Sequence, residues 1–357
     1  MTAGVFVLNF GEPATPDREA VVEYLRRIFL QNADLDDAED PEARARELAE
    51  RRAPGLIGEY EAIGGSPLNE QAAAQADALG AALADRGFDV ETYVGMQFTE
   101  PFIEDAVERA RADGVDLAVG LPVYPLCGPS TTVAALDRLE TAIEDHGWDV
   151  PTHAVTGWHK HPTYARLRAE NVAAAADAEG LDLTVPDTAL VFSAHGTPQH
   201  YLEEGSRYER YVEEHCETVA GLLGVESYEL GYQNHENRDI PWTEPEVEDV
   251  IETIDAERVL VEPVSFMHEQ SETLSELDVE LREEAEERGL SFRRVPIPHD
   301  DERFPDLLAD LVEPFLAGID PATYNLQPCL CRDAAGTVCL NAGPNRMIEG
   351  AYPVADD

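Results

Sequence analysis

Apolar residues follow two rhythms along this chain. Short unbroken runs begin with Val5–Asn9 (VFVLN) and recur near 89–95, 116–122, 151–156, 187–193, 226–233, 257–263 and 291–295. Runs of that length closed by turn residues predict buried strands. Between them lie longer stretches with apolar positions every three or four residues, which predict amphipathic helices. The first of these spans about Asp17 to Leu30. Strands alternating with helices predict an α/β fold with a parallel sheet covered on both faces. Residues 33–56 (ADLDDAEDPEARARELAERRAPGL) break the rhythm; they are polar and charged and predict a surface excursion with a short helix. The string IGGSPLNEQ (63–71) is a Gly-Pro turn opening an alanine-rich helix.

The pattern also repeats. VGMQFTEPFIEDAVERA (94–110) resembles LGYQNHENRDIPWTEPEVEDVIETI (230–254): each has G-x-Q, then T-E-P, then an acidic amphipathic helix. GVDLAVGLPVYP (114–125) resembles DAERVLVEPVSF (255–266), and VFVLNFGEP (5–13) resembles LVFSAHGTP (190–198). Three matches in one order predict two Rossmann-like, doubly wound halves related by duplication. The expected division is 1–158 and 159–320, with a cysteine-bearing extension over 321–357. Halves of this kind face each other across a cleft, where ligands gather at the carboxyl ends of the strands. The duplication sets Phe10 and His195 at equivalent strand ends. Neither G-x-G-x-x-G nor G-x-x-x-x-G-K-[ST] occurs, so nothing signals a dinucleotide or P-loop phosphate site.

Charge narrows the partners. The formal net charge is −48, the acids are dispersed, and Lys160 is the single lysine among 25 basic residues. Such a composition looks like that of halophilic proteins, in which a carboxylate surface stays hydrated in strong salt. A polyanion does not attract nucleic acid or an anionic membrane. No apolar stretch approaches the roughly 20 residues of a membrane span. The N-terminus enters a strand without a signal-peptide pattern, so a cytoplasmic protein is expected.

Two stretches carry candidate chemistry. In LVFSAHGTPQH (190–200) an apolar run stops at His195-Gly196. Such a histidine either bonds its own turn or faces a ligand beyond the strand end. In FMHEQSETLSELDVELREEAEERG (266–289), Glu272, Glu276 and Glu280 share one face of a predicted helix. Like charges four apart repel, so stability does not select them. The row follows a strand directly, which sets Glu272 near the cleft. Carboxylates leading to an imidazole offer a path for a divalent cation.

The five cysteines are Cys127, Cys216, Cys329, Cys331 and Cys339. An odd count argues against a disulfide framework. The cluster C-x-C-x(7)-C in QPCLCRDAAGTVCLNAG (327–343) suggests a metal or iron–sulfur site, for which Cys127 is the better fourth ligand. Cys216 falls in a helical segment and is expected to be a buried apolar residue. Zinc and free thiols are the other readings of the same spacing.

With FSAHGTP, IGGSPLN, LNFGEP and F-x(5)-E-T-L-x-E-L-D-x-E in order over nearly the whole chain, the sequence resembles the ferrochelatase family. The resemblance implies two Rossmann-like halves around a porphyrin cleft and insertion of Fe(2+), a substrate, into protoporphyrin IX or coproporphyrin III. It implies His195 and Glu272 as catalytic and metal-binding residues, and Glu276 and Glu280 as an acidic row for metal or protons. Phe10 and Ser66 become substrate-binding positions. It also implies a [2Fe-2S] cluster on Cys127, Cys329, Cys331 and Cys339. Two departures stand out: Glu269-Gln270 occupies the place where many relatives have Asp-His, and Glu61-Ala62 precedes the Gly-rich turn where some carry basic residues. Arg26 or Arg27 could then anchor propionates. The competing readings are a sirohydrochlorin chelatase using cobalt or nickel, and a non-enzymatic tetrapyrrole or metal carrier. Oligomeric state, monomer or homodimer, stays open.

Overall fold

β1 (Ala3–Asn9) is buried at every position, as its run of Val, Phe and Leu demands. In the computed structural model it pairs on one side with β2 (Val90–Met96) and on the other with β3 (Leu117–Pro122), both parallel. β4 (Thr152–Val155) and the short β9 (Thr337–Val338) extend the sheet in the order β2-β1-β3-β4-β9. A second parallel sheet runs β6-β5-β7-β8, from β5 (Thr188–His195), β6 (Glu229–Gln233), β7 (Arg258–Pro263) and β8 (Ser291–Arg294). The description covers residues 2–35, 38–235, 240–319, 331–332 and 336–341.

The two sheets have the same winding. In each, the first strand sits between the second and third, and the fourth joins the third. The T-E-P repeats dock alike: Met96 N–H donates to the Pro101 carbonyl (2.8 Å), and Tyr232 N–H to that of Pro245 (2.9 Å). The α/β architecture of two Rossmann-like halves is therefore as expected, and the strand positions agree within a few residues.

Three features differ. Residues 33–56 belong largely to α2 (Pro41–Ile63), a 23-residue helix that packs on α1 (Arg18–Gln31). Asp40 caps it by accepting from Ala43 N–H, with Pro41 at the first turn. Its apolar face (Leu48, Ala53, Leu56, Tyr60) is widely spaced and interrupted by Pro54, a residue that normally ends helices. Second, the last helix, α11 (Phe304–Leu316), packs against the first sheet rather than the second. Phe304, Leu308, Leu311 and Phe315 share a core with Val5, Val7 and Val119. α11 thus packs on the first sheet although it follows the second along the chain. Third, β9 pairs with β4, so the extension adds a strand to the first half.

Lys160 is buried, with its ammonium 2.9 Å from Glu214. Among the described residues, the surface cations are therefore arginines. None of the described helices is long and apolar enough to cross a membrane.

Candidate active site

The strand ends of both halves open onto one cleft. Phe10, Tyr24, Leu25, Ile28, Phe29 and Leu56 line it from the first half; His195, Tyr201, Trp242, Phe266 and Met267 line it from the second. The walls are largely apolar and aromatic, the lining expected for a flat hydrophobic ligand. Phe10 packs edge-on against Phe98, with ring centroids 4.5 Å apart. α2 supplies one lip through Arg52, Leu56 and Glu59.

His195 ends β5, and its backbone is fixed on both sides. Its N–H donates to Ser265 Oγ (2.9 Å), and its carbonyl accepts from the Tyr208 hydroxyl (3.0 Å). The ring contact Nδ1···O of Gly196 is 2.6 Å, so Nδ1 carries the proton that the carbonyl accepts. Nε2 is left with its lone pair in the neutral ring. Gly196 must be glycine here, because a Cβ would fall 1.8 Å from Asn234 Oδ1.

Facing Nε2 of His195 are Glu272 Oε1 at 3.3 Å and His235 Nε2 at 3.1 Å; His235 Nε2 and Glu272 Oε1 are 3.6 Å apart. Glu272 begins a ten-residue π-helix, Glu272–Leu281, followed by α10 (Arg282–Glu287). The expected α-helix is thus wound wider, with i→i+5 bonds, a form that clusters at functional sites. Glu276 lines the cleft behind Glu272, while Glu280 is exposed outside it. Gln233, at the end of β6, joins these parts. Its amide donates to the Glu272 carbonyl (3.1 Å) and to Glu276 Oε2 (3.0 Å), and its oxygen accepts from Ser193 (2.9 Å).

Electrostatics separate the carboxylates. Burial alone would push Glu272 up, but hydrogen bonds from His195 and His235 hold it well below the usual carboxylate range. Burial works against a charged His195, and the neighbouring Glu272 overrides it and raises the imidazole. Glu276 is pushed up to about 7 by burial and by the charge of Glu272. His268 sits in the cleft wall and is pushed down to about 3 by burial. Its Nδ1 lies 3.3 Å from Asn9 Nδ2, and its Nε2 lies 3.2 Å from Gln75 Oε1.

Outside the lining of the cleft, a buried carboxylate ties the halves together. Glu12 accepts from Tyr60 Oη (2.9 Å), from Ser66 and from Ser271, the residue before Glu272. Ser66 is engaged there and is not among the residues lining the cleft. The Glu269 and Gln270 pair is structural as well: Glu269 binds Arg294 (3.0 Å), and Gln270 donates to Glu272. Arg26 and Arg27 are held by Glu23, with Glu42 also on Arg26, and neither lines the cleft. The guanidinium in the lining is Arg52, paired with Glu59 at 2.7 Å.

A second group of side chains lies away from the cleft. Cys127 and Cys339 are buried, and Cys331 Sγ stands 3.4 Å from the Tyr211 hydroxyl. Burial raises the Tyr211 phenol, and Cys331, Cys339 and Cys127 all lie near enough to Tyr211 to act on it. Cys216 is fully buried in α8 (Tyr208–Leu223), as expected of an apolar core residue. Cys329 lies outside the described residues.

Sequence reasoning missed His235 and Arg52. His235 stands in a polar loop without periodicity, although it follows the end of β6 by two residues. That is the position to search once strand ends are taken as the site.

A ferrochelatase family model matches residues 2–315. A ferrochelatase of Gloeobacter violaceus is 35% identical over 322 residues, covering 87% of this chain and 96% of its own. One from Synechococcus sp. strain RCC307 is 39% identical over 270 residues, covering 72% of this chain and 68% of its own. Among solved structures, SirB from Bacillus subtilis with Fe3+ superposes with a TM-score of 0.54 over 89% of this chain and 97% of that one. At 11% identity that likeness speaks to the fold alone. The length of the family match, and relatives above 30% identity that align along most of both chains, establish that this chain belongs to the ferrochelatase family.

Proposed function

We propose that this protein inserts ferrous iron into a porphyrin, the iron-insertion step of haem synthesis, with His195 and Glu272 as the working pair. One observation carries the proposal. At the polar end of an apolar cleft, the Nε2 of an imidazole faces a carboxylate that the neighbouring imidazoles hold ionised, 3.3 Å away.

The reaction has no redox step. Fe(2+) sheds water, and the macrocycle sheds two N–H protons as its nitrogens take the metal. His195 Nε2 accepts a proton or holds the ion, which neutral imidazole can do near neutral pH. Glu272 supplies an oxygen ligand and offsets the positive charge. Glu276, and beyond it Glu280, continue the row outward as acceptors for protons or as waypoints for hydrated metal. Phe10 faces the ring from the other half. Ser66 serves the site through Glu12, and Arg52 replaces Arg26 and Arg27 as the candidate propionate partner.

The pair also weighs against a carrier, which needs no proton acceptor. Anaerobic incubation with Fe(2+) and protoporphyrin IX or coproporphyrin III, in molar salt, tests the proposal. The expected result is the absorbance change of porphyrin metallation. Tight porphyrin binding without metallation would indicate a carrier, and metallation of sirohydrochlorin alone would indicate a sibling chelatase. Molar salt is the chosen solvent because a charge of −48 suits it: the Debye length there is about 3 Å, and the carboxylates cease to repel.

Glu276 gives the row a pH dependence. Pushed up to about 7, its carboxyl is neutral below that pH and ionised above it. Iron capture at limiting Fe(2+) should therefore rise as pH passes through about 7. In Glu276→Gln that inflection should vanish, with the rate held near the low-pH level, as measured by initial rates across pH 6–8.

A [2Fe-2S] cluster fits the second group of side chains. Cys127, Cys331 and Cys339, which share the Tyr211 neighbourhood, would hold it with Cys329, and it would supply one-electron redox chemistry. Iron and sulfide in equal amounts, with the visible absorption of a cluster, are expected in anaerobically purified protein; zinc without sulfide would speak against it.

A further inference from the structure

We infer that His235 is a third protein ligand, so that the chain holds a borderline divalent cation on two imidazoles and one carboxylate before any macrocycle arrives. The inference deepens the chelatase reading and rests on it only for the identity of the physiological ion.

Geometry carries it. Nε2 of His195, Nε2 of His235 and Oε1 of Glu272 stand 3.1, 3.3 and 3.6 Å apart, and one ligand atom from each could surround a single ion. Bonds of about 2.0–2.2 Å in tetrahedral or octahedral array set neighbouring ligand atoms roughly 3.0–3.5 Å apart. Two edges of the observed triangle, 3.1 and 3.3 Å, lie in that range, and the third is 3.6 Å. The proton of neutral His195 is on Nδ1, committed to the Gly196 carbonyl at 2.6 Å, so its Nε2 aims a lone pair at the other two atoms.

The surroundings match those of ligating side chains. A metal-bound imidazole usually donates its other N–H to a carbonyl or carboxylate. His195 does so to Gly196, while His235 Nδ1 is 4.0 Å from Glu276 Oε1, beyond hydrogen-bond reach. The far oxygen of Glu272 is engaged by the Gln270 amide, which leaves Oε1 turned inward. His235 is held by its neighbours: the Asn234 amide donates to the Thr243 carbonyl at 2.8 Å, and the Trp242 ring stands edge-on, 6.1 Å away. Two nitrogens and one oxygen favour Fe(2+), Co(2+), Ni(2+) or Zn(2+) over Mg(2+) and Ca(2+). Three protein ligands also leave positions open, through which pyrrole nitrogens could replace water.

The test is equilibrium dialysis of the full, porphyrin-free chain against Co(2+), with excess Mg(2+) to occupy the acidic surface. Wild type should take up one tight equivalent, and His235→Gln should weaken it at least about tenfold. X-ray absorption of the Co(2+)-loaded protein should count two imidazoles in wild type and one in His235→Gln, a readout that does not depend on the variant's stability. Equal affinity in a folded variant, or one imidazole in wild type, overturns the inference. The two readings fail separately. Metallation with an unchanged His235→Gln site keeps the chelatase and discards the third ligand, whereas two imidazoles on Co(2+) without metallation does the reverse.

Discussion

His195→Ala should lose iron insertion by about 10²- to 10⁴-fold, the range for removing a positioned proton acceptor. The imidazole faces both Glu272 Oε1, at 3.3 Å, and His235 Nε2, at 3.1 Å. Porphyrin affinity should change little, because the broad walls (Phe10, Leu25, Phe29, Leu56, Trp242) remain. Fluorescence titration with porphyrin, alongside the metallation rate, separates these effects. The substitution should also be mild for stability. The backbone of His195 is fixed by Ser265 and Tyr208 whatever its side chain, and the losses are confined to the ring's contacts with Gly196, His235 and Glu272. A variant that inserts iron at the normal rate would remove His195 from the reaction.

The second large effect is on stability. Arg168, in α6 (Pro162–Glu179), and Glu262, in β7, form an ion pair with both side chains wholly inaccessible to solvent. The guanidinium also donates to the carbonyls of Pro263 (2.6 Å) and Phe266 (3.0 Å), in the loop that delivers Glu272 to the cleft. Arg168→Leu would leave a buried carboxylate alone and two carbonyls without their donor. The expected cost is about 3–5 kcal/mol, read as a lower denaturation midpoint in high salt. Replacing both partners with apolar residues should recover much of that loss, since the stranded charge goes with them. A single variant as stable as wild type would mean that the loop is held by its other contacts.

Much of this molecule was legible before its structure. Strand–helix alternation and three ordered repeats gave two similarly wound sheets, because period and turn chemistry are local properties. His195 was visible for the same reason: an apolar run that stops on a histidine and a glycine marks a strand end. Glu272 was visible because repulsive spacing on a helix calls for a purpose. What stayed hidden depends on long-range packing. Alternation cannot say which sheet a helix covers, so the packing of α11 on the first sheet leaves no mark in the pattern. Four-residue spacing is compatible with both α and π winding, so the wider helix at Glu272 left no separate mark. α2 was shortened because Pro54 and many charges mask its thin apolar face, and Arg52 was passed over with it. Ser66 matched a motif near the ring, yet its hydroxyl turns to Glu12, a partner 54 residues away.

The acidic character of the chain sits apart from its chemistry. Many of its carboxylates are exposed, while those at and behind the site are individually controlled: Glu272 ionised by two imidazoles, Glu276 poised near neutrality, Glu12 kept on three hydroxyls outside the cleft lining. A strongly acidic surface can therefore coexist with a site whose charges are set locally, because buried pairs are screened far less than exposed ones.

Anomalous diffraction at the absorption edge of a divalent metal soaked into crystals of this protein tests the central claim most directly. The account predicts one strong cleft peak within bonding distance, about 2.0–2.3 Å, of both His195 Nε2 and Glu272 Oε1. A saturated crystal with its metal elsewhere, and none between those two atoms, would contradict it.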